Sequence, residues 1–405
     1  MLSGKHILLG ISGGIAAYKA PELIRLLQKQ GAEVKVTTTK NALEFVTTLT
    51  LQTLSGHPVY SDVFAAINEH STEHISLPDW ADLMVIAPAT ANVLAKLSTG
   101  VADDALTTTF AAMRKPVVIA PAMNDKMYAL DTVQAALKTL SERDNTLVMD
   151  CEAGYLACGS NGKGRMQPLD AIVEAVTTAL TPQDLSGKRV LITAGPTVEA
   201  LDPVRFISNH STGKMGYALA AECARRGAQV TLVSGPVSIR LPHFDSISAC
   251  GSVSVVPVES AEQMCCEAVG AFDAADLTIL CAAVADFRAS EVADHKIKKA
   301  HGQSTLTLEL TVTQDIAKVL GERKRPNQTL VGFALETDNE QANAQHKLQS
   351  KHLDYIVLNS LRDSGAGFGC DTNKVTIFAS DGAQKNLPLM SKQEIATSII
   401  DSVIA

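Results

Sequence analysis

Short apolar runs recur along the chain, and each stands beside a segment of helical periodicity. His6-Ile7-Leu8-Leu9 leads into GISGGIAAYK at residues 10–19 and then into Pro21-Glu22-Leu23-Ile24-Arg25-Leu26-Leu27. Period and punctuation predict a buried strand, a glycine turn and the start of an amphipathic helix. Such a turn aims free backbone N–H groups and the positive end of a helix at an anion, most often a phosphate. The glycines fit neither G-x-G-x-x-G nor G-x-x-x-x-G-K-[ST], so neither a dinucleotide fingerprint nor a P-loop is supported. A tight turn without a ligand is the alternative reading of these residues alone.

The pattern is used twice. Gly4-Lys5-His6-Ile7-Leu8 is echoed by Gly187-Lys188-Arg189-Val190-Leu191, and the turns ISGG and AGPT follow at residues 11–14 and 194–197. Gly31-Ala32-Glu33-Val34 is echoed by Gly227-Ala228-Gln229-Val230, and Ala81-Asp82-Leu83 by Ala275-Asp276-Leu277. The echoes are too far apart for a solenoid. They predict an α/β fold with two doubly wound, mostly parallel-sheet domains, each with a phosphate-binding first turn. The boundary is expected at the Pro/Gly-containing stretch 181–187, giving domains at 1–181 and 187–405. Residues 241–251 read as a surface loop.

Composition narrows the function classes. Lys+Arg 35 against Asp+Glu 43 gives a formal charge of -8, which argues against a general nucleic-acid binder. No apolar run reaches transmembrane length, and the start of the chain lacks the pattern of a signal peptide, so a cytoplasmic location is expected. None of the eight cysteines forms C-x-x-C. Most are expected to be small buried hydrophobes. Cys158 differs, because it sits in the glycine-rich stretch CEAGYLACGSNGKGRM at residues 151–166. This stretch reads as a mobile loop suited to an active-site lid.

Polar groups cluster just after predicted strands, as APATAN at 87–92 and APAMN at 120–124. They suggest a ligand rim, with loop capping by Asn and Thr as the plainer alternative. Taken with SGGIAAYK at 12–19, H-I-x-L at 74–77, P-A-M-N-x-x-M at 121–127 and ACG at 157–159, these motifs resemble the flavin-containing cysteine decarboxylases, specifically phosphopantothenoylcysteine decarboxylase. The second half has TAGPT at 193–197, DPVRFISNHSTGKMG at 202–216, AAVADF at 282–287 and KIKK at 296–299. It resembles phosphopantothenate–cysteine ligase. The whole is similar to the fused bacterial enzymes of coenzyme A biosynthesis. A regulatory flavoprotein, or one that decarboxylates a peptide's terminal cysteine, is the alternative.

The resemblance implies that the SGG turn holds the phosphate of FMN, with Ser12, Gly13, Gly14, Thr39, Thr90 and Asn92 as contacts. It makes His74 an acid–base or positioning residue, Asn124 the ligand of the substrate carboxylate, and Cys158 the donor that protonates the enethiol left after carbon dioxide departs. For the ligase half it implies CTP and Mg²⁺, with an acyl-cytidylate displaced by cysteine. Asp286, Lys296, Asp315, Ile316, Phe333, Lys347 and Lys351 would meet CTP, and Asp286 its metal. Asn209 would act on the acyl-cytidylate, with Arg205 nearby. Thr313-Gln314 stands where related ligases have Asn-Pro, so neither residue is given a role. NHSTGKMG lacks the first glycine of a P-loop and the hydroxyl after Lys214. The implied partners are 4′-phosphopantothenate, cysteine and CTP. The implied assembly is a homo-oligomer of flavin-domain trimers and ligase-domain dimers, with a dodecamer compatible with both.

Overall fold

The run His6–Ile11 forms β1, the centre of a six-stranded parallel sheet with β2 (Glu33–Thr38), β3 (Val59–Tyr60), β4 (Leu83–Ala89), β5 (Val117–Pro121) and β6 (Thr146–Val148) in the order β3-β2-β1-β4-β5-β6. From Ile7 onward the strand is apolar and buried because both faces are covered. Ile7, Leu9 and Ile11 pack on one side with α1 (Ala20–Lys29), α2 (Thr48–Ser55) and the later helix at Leu169–Ala179. Leu8 packs on the other with α3 (Glu73–Trp80), α4 (Ala91–Thr99), α5 (Ala105–Ala112) and, beyond the short α6 (Asp125–Tyr128), α7 (Asp131–Ser141). The helix at Leu169–Ala179 is α8. In α1 the residues Leu23, Ile24 and Leu27 are fully buried, which matches the spacing that marked it as amphipathic. Each such side chain contributes about 1.5–3 kcal/mol.

This computed structural model describes residues 2–64, 72–155, 159, 161–242, 251–298, 304–336, 338–360, 365–367 and 369–404. Cys158, Lys299 and most of the loop expected at 241–251 lie outside the described residues. The chain divides into two compact units, Met1–Pro182 in the first and Gln183–Leu241 with Gly251–Ala405 in the second.

In the first unit, residues 151–166 differ from the loop expected of them. Among them β7 (Glu152–Tyr155) pairs antiparallel with β8 (Asn161–Arg165), so the glycine-rich stretch holds a β-hairpin. Two of its glycines, Gly162 and Gly164, are used for close approach. A Cβ on Gly164 would lie 2.4 Å from Met123 O.

The second unit repeats the arrangement. Its sheet runs through β9 (Arg189–Ala194), β12 (Gln229–Ser234), β13 (Ser252–Pro257), β14 (Leu277–Leu280), β17 (Thr329–Glu336) and β18 (Tyr355–Ser360) in the order β13-β12-β9-β14-β17-β18. Two antiparallel strands, β19 (Thr372–Ala379) and β20 (Gln384–Ser391), extend it beyond β18. Two small antiparallel pairs stand apart from the sheet, β10 (Glu199–Ala200) with β11 (Phe206–Ile207) and β15 (Phe287–Ala289) with β16 (Leu310–Val312). The helices are α9 (Lys214–Arg225), α10 (Ala261–Phe272), α11 (Ile316–Arg323), α12 (Glu340–Ser350) and α13 (Lys392–Ile404).

The echoes have physical causes. Asp82 Oδ2 accepts the N–H of His6 at 2.8 Å, and Asp276 Oδ2 accepts that of Arg189 at 2.8 Å, so each aspartate caps the start of the central strand. Gly31 and Gly227 both adopt positive φ, 91° and 90°, where a side chain would be strained. The cysteines are more varied than expected. Cys151, Cys223 and Cys265 are buried, Cys281 and Cys370 are half-buried, and Cys266, next to Cys265 on α10, is exposed.

Candidate functional site

The carboxyl ends of β1, β2, β4 and β5 open on a cavity of about 830 Å³. Gly13 and Gly14 line it after β1, Thr39 after β2, Thr90 and Asn92 after β4, and Asn124 after β5. The turn is tight, since a Cβ on Gly13 would lie 2.4 Å from Asn41 Cβ. Thr39 Oγ1 is buried and has no hydrogen-bond partner among the described residues. Such an orphan on a cavity wall suits a polar ligand atom. The first turn of α4 lines the cavity without a side-chain cap, which leaves backbone donors for an anion. Asn124 Oδ1 accepts from Lys126 N–H at 2.9 Å, which fixes the amide's orientation.

Ser12 stands behind the wall. It is fully buried, its hydroxyl donates to Pro88 O at 2.7 Å, and it accepts from Thr90 N–H at 3.0 Å. It stitches the turn after β1 to the one after β4. His74 is half-buried on α3 and does not line the cavity of its own chain.

The cavity carries charge that the motifs did not announce. Lys19, Lys40 and Arg165 line it. Burial, with Arg165 nearby, lowers the Lys19 ammonium from its ordinary range. Lys96 is neutralised by Asp103 at 2.6 Å and Asp104 at 3.4 Å. The hairpin supplies Tyr155, Gly164 and Arg165 to the wall, and Met123 N–H donates to Gly164 O at 2.9 Å.

A second cavity, of about 570 Å³, opens in the second unit. Asn209, Asp286, Asp315, Ile316, Phe333, Lys347 and Lys351 all line it. The two lysines are already partnered, Lys347 with Glu336 at 2.6 Å and Lys351 with Asp315 at 2.8 Å. Burial alone would raise Asp315, but Lys351 and the N–H of Lys318 outweigh it and hold the carboxyl below its ordinary range. Asn209 bridges two segments, donating from Nδ2 to Ala283 O at 2.5 Å and accepting at Oδ1 from Ser211 N–H at 3.0 Å.

The AGPT turn after β9 is not on this wall. Thr197 Oγ1 instead accepts from Ala285 N–H at 2.9 Å, and Thr197 N–H donates to Ala283 O at 3.2 Å. A later turn stands on the wall in its place. Ser211, Thr212 and Gly213 line the cavity at the start of α9, with Gly213 at φ 74°. Thr313 and Gln314 have structural work, as Thr313 Oγ1 donates to Ala285 O at 2.6 Å and Gln314 Oε1 accepts from Cys265 Sγ at 3.3 Å.

Arg205 and Lys296 are elsewhere. Arg205 Nη1 donates to Asp202 Oδ2 and to Ile297 O, both at 2.8 Å, and Ile297 N–H donates to Asp202 Oδ2 at 2.9 Å. Burial of Asp202 is outweighed by the backbone donors of Ile297, Val204 and Arg205, and its carboxyl is lowered. The knot ties the DPVR loop to the start of KIKK, with Lys296 exposed and off its own cavity.

Among the wall residues without a role assigned from sequence are Lys214, Lys392 and Asn359. Lys214 Nζ meets Asp371 Oδ1 at 2.6 Å, and Lys392 Nζ donates to Gly367 O at 3.1 Å and to Cys370 O. Asn359 Oδ1 is buried with no partner among the described residues. Lys214 was visible within STGKMG; Lys392 and Asn359 carried no local signal.

Residues 1–181 match the family described as Flavoprotein, and residues 185–405 match the DNA/pantothenate metabolism flavoprotein C-terminal domain. Over 408 residues the chain is 48% identical to the coenzyme A biosynthesis bifunctional protein CoaBC of Bacillus subtilis (strain 168), covering 100% of this chain and 98% of that protein. The chain belongs to this family of bifunctional coenzyme A biosynthesis flavoproteins. The relative of the same description from Escherichia coli (strain K12) is 43% identical over 405 residues, 100% of this chain and 97% of its own. Among solved structures, the C-terminal domain of CoaBC is 40% identical and covers 55% of this chain and 96% of its own, at a TM-score of 0.45.

Proposed function

We propose that the second unit joins 4′-phosphopantothenate to cysteine at the expense of CTP, and that the first unit decarboxylates the resulting 4′-phospho-N-pantothenoylcysteine with bound FMN. The observation that carries this reading is the pair of cavities. The first has a glycine turn and uncapped helix start beside neutral Thr and Asn donors, and the second has four lysines.

The first cavity fits FMN. Gly13, Gly14 and the start of α4 would hold its phosphate, and Thr39, Thr90 and Asn92 its polar edges. When bound, the flavin would supply the two-electron oxidation of the substrate's thiol-bearing carbon to a thioaldehyde, an electron sink adjacent to the carbon that loses carbon dioxide, and later the returning hydride. Asn124 binds the substrate carboxylate as a neutral, preoriented donor, which does not hold back its loss as a cation would. The exposed Ile15, Tyr18 and Tyr155 at the mouth are suited to cover by another copy of the chain. His74 would then serve the cavity of a neighbouring copy.

In the second cavity Lys347, Lys351, Lys214 and the start of α9 counter triphosphate charge, and Phe333 packs on the base. Asp286 is an exposed wall carboxylate. Mg²⁺ is commonly held by one or two carboxylates together with substrate phosphates, so Asp286 fits it. Asn209 orients the acyl-cytidylate for attack by cysteine's amine. No described helix is long and apolar enough to cross a membrane, and we place these reactions in the cytoplasm.

The purified chain should be yellow and release FMN on denaturation. With phosphopantothenate, cysteine, CTP and Mg²⁺ it should yield CMP, pyrophosphate and 4′-phosphopantetheine. Without CTP it should still decarboxylate supplied phosphopantothenoylcysteine. Absence of both products would sink the reading and favour a regulatory flavoprotein.

The first unit should also work alone. A fragment of residues 1–181 carries every described residue that lines the first cavity, so it is expected to assemble with copies of itself, bind FMN and decarboxylate supplied substrate. A folded fragment that does neither contradicts the proposed independence of the domains at 1–181 and 187–405.

A further inference from the structure

Three residues that do not line the first cavity hold one of its walls in place. Tyr128 Oη, at the end of α6, donates to Asp150 Oδ1 at 2.5 Å. Lys163 Nζ, on β8, lies 2.5 Å from Asp150 Oδ2 and 5.7 Å from the centre of the Tyr128 ring. Asp150 Oδ1 also accepts from Cys151 N–H at 2.8 Å, and Gln167 Nε2 donates to Asp150 O at 3.0 Å. One aspartate therefore joins α6 to the entry, the return strand and the exit of the hairpin.

Two of these residues have a chain neighbour on the wall. Met127 precedes Tyr128, and Gly164 follows Lys163. Tyr128 N–H donates to Asn124 O at 2.9 Å, so the same knot reaches the loop of the carboxylate-binding amide. A Cβ on Gly162 would lie 2.7 Å from Asp125 Cβ, which leaves the hairpin seated directly on the start of α6. Burial would raise the Asp150 carboxyl, but Lys163 and Tyr128 hold it below the ordinary range, so the carboxylate stays charged.

The knot is not a stability device. The side chains of Lys163 and Asp150 are 49% and 50% exposed, and exposed ion pairs add little to folding. What it defines is placement, with two hydrogen-bonding groups of different length converging on one carboxylate. A reacting group displaced by about 1 Å can lose roughly 10²-fold in rate.

We propose that Tyr128, Asp150 and Lys163 form a latch that seats the hairpin of β7 and β8 against the Asn124 loop and so sets the rate of decarboxylation without touching the substrate. They are positioning residues, and the proposal rests on the decarboxylase reading of the first unit. The distinguishing result is a split between turnover and binding. The hairpin supplies only part of the wall, whereas the proposed FMN contacts come from the ends of β1, β2 and β4.

The test uses the full-length chain with Tyr128→Phe, Asp150→Asn, Lys163→Met and Lys163→Arg. Bound FMN, pyrophosphate release by the second unit, and kcat and KM for supplied phosphopantothenoylcysteine are measured in each. Asp150→Asn and Lys163→Met are expected to keep FMN and pyrophosphate release but to lose roughly 10–100-fold in kcat, with KM changed by less than about 3-fold. Lys163→Arg should recover most of the loss, because it restores the charge. Wild-type kcat in Asp150→Asn and Lys163→Met overturns the latch. Loss of FMN in step with kcat overturns it too, since the network would then support the cofactor cavity. If Asp150→Asn fails to fold, a normal kcat in Tyr128→Phe and Lys163→Met overturns it, and a lowered kcat with FMN retained supports it. A wild-type chain that holds FMN but releases no carbon dioxide refutes the decarboxylase reading itself, and the latch with it.

Discussion

Cys158→Ser is expected to stop the first reaction after carbon dioxide has left, with the enethiol accumulating in place of 4′-phosphopantetheine. Residues 156–160, which include Cys158, connect β7 to β8, and Tyr155, Gly164 and Arg165 of those strands line the cavity. The proposed role is proton donation to the enethiol as hydride returns. A thiol has a reference pKa near 8.5, so it is largely protonated at neutral pH yet acidic enough to give its proton up. A serine hydroxyl is a far weaker acid. Loss of a general acid typically costs roughly 10²–10⁴-fold. That corresponds to about 2.7–5.4 kcal/mol of transition-state stabilisation. Carbon dioxide release in a first turnover should survive, because it precedes the proton transfer. Mass spectrometry of the products checks this, and normal formation of 4′-phosphopantetheine by the variant would remove Cys158 from the mechanism.

Lys296→Ala and Asn209→Ala are each expected to abolish ligation, at different steps, and to rescue one another within mixed oligomers. Lys296 belongs to a basic run suited to triphosphate, yet it is exposed and off the cavity of its own chain. The Asp202–Arg205–Ile297 knot fixes the backbone beside it. In the same unit Val204, Phe206 and Val312 are 59%, 60% and 71% exposed, a surface that a second copy would cover. In a symmetric dimer the arm of one copy would then reach the cavity of the other. Removing one electrostatic donor from such a site costs roughly 3–4 kcal/mol, so Lys296→Ala should give neither pyrophosphate nor acyl-cytidylate at moderate CTP. Asn209 lines its own cavity and carries no charge. Its loss should spare pyrophosphate release in a first turnover and let acyl-cytidylate build up. Random mixing of the two variants should restore roughly one quarter of wild-type activity, because half of the dimers would contain one intact cavity. No recovery on mixing would show that Lys296 acts within its own chain. Equal loss of pyrophosphate release in both variants would remove the division of labour.

The parts of this protein that were legible in its sequence are those set by local rules. Burial on both faces makes β1 a continuous apolar run, and a single buried stripe makes α1 periodic. The wall residues Gly13, Thr90 and Asn124 follow closely on strands that the apolar runs predicted and were placed by those strands, whereas Thr39 was named by resemblance alone. Only tertiary structure decided the rest. Lys392 begins the last helix and reaches the second cavity through a fold spanning the whole unit, which no spacing rule encodes. The AGPT turn looked like ISGG, but in the second unit the chain runs on through β10 and β11 before α9 begins, so the helix start faces the cavity from a later turn. The glycines of residues 151–166 suggested freedom; two of them, Gly164 against Met123 and Gly162 against Asp125, serve as clearance for a seated hairpin. Periodicity records what a residue needs from its own element, whereas the latch, the knot and the cation positions depend on which distant segments the sheets bring together.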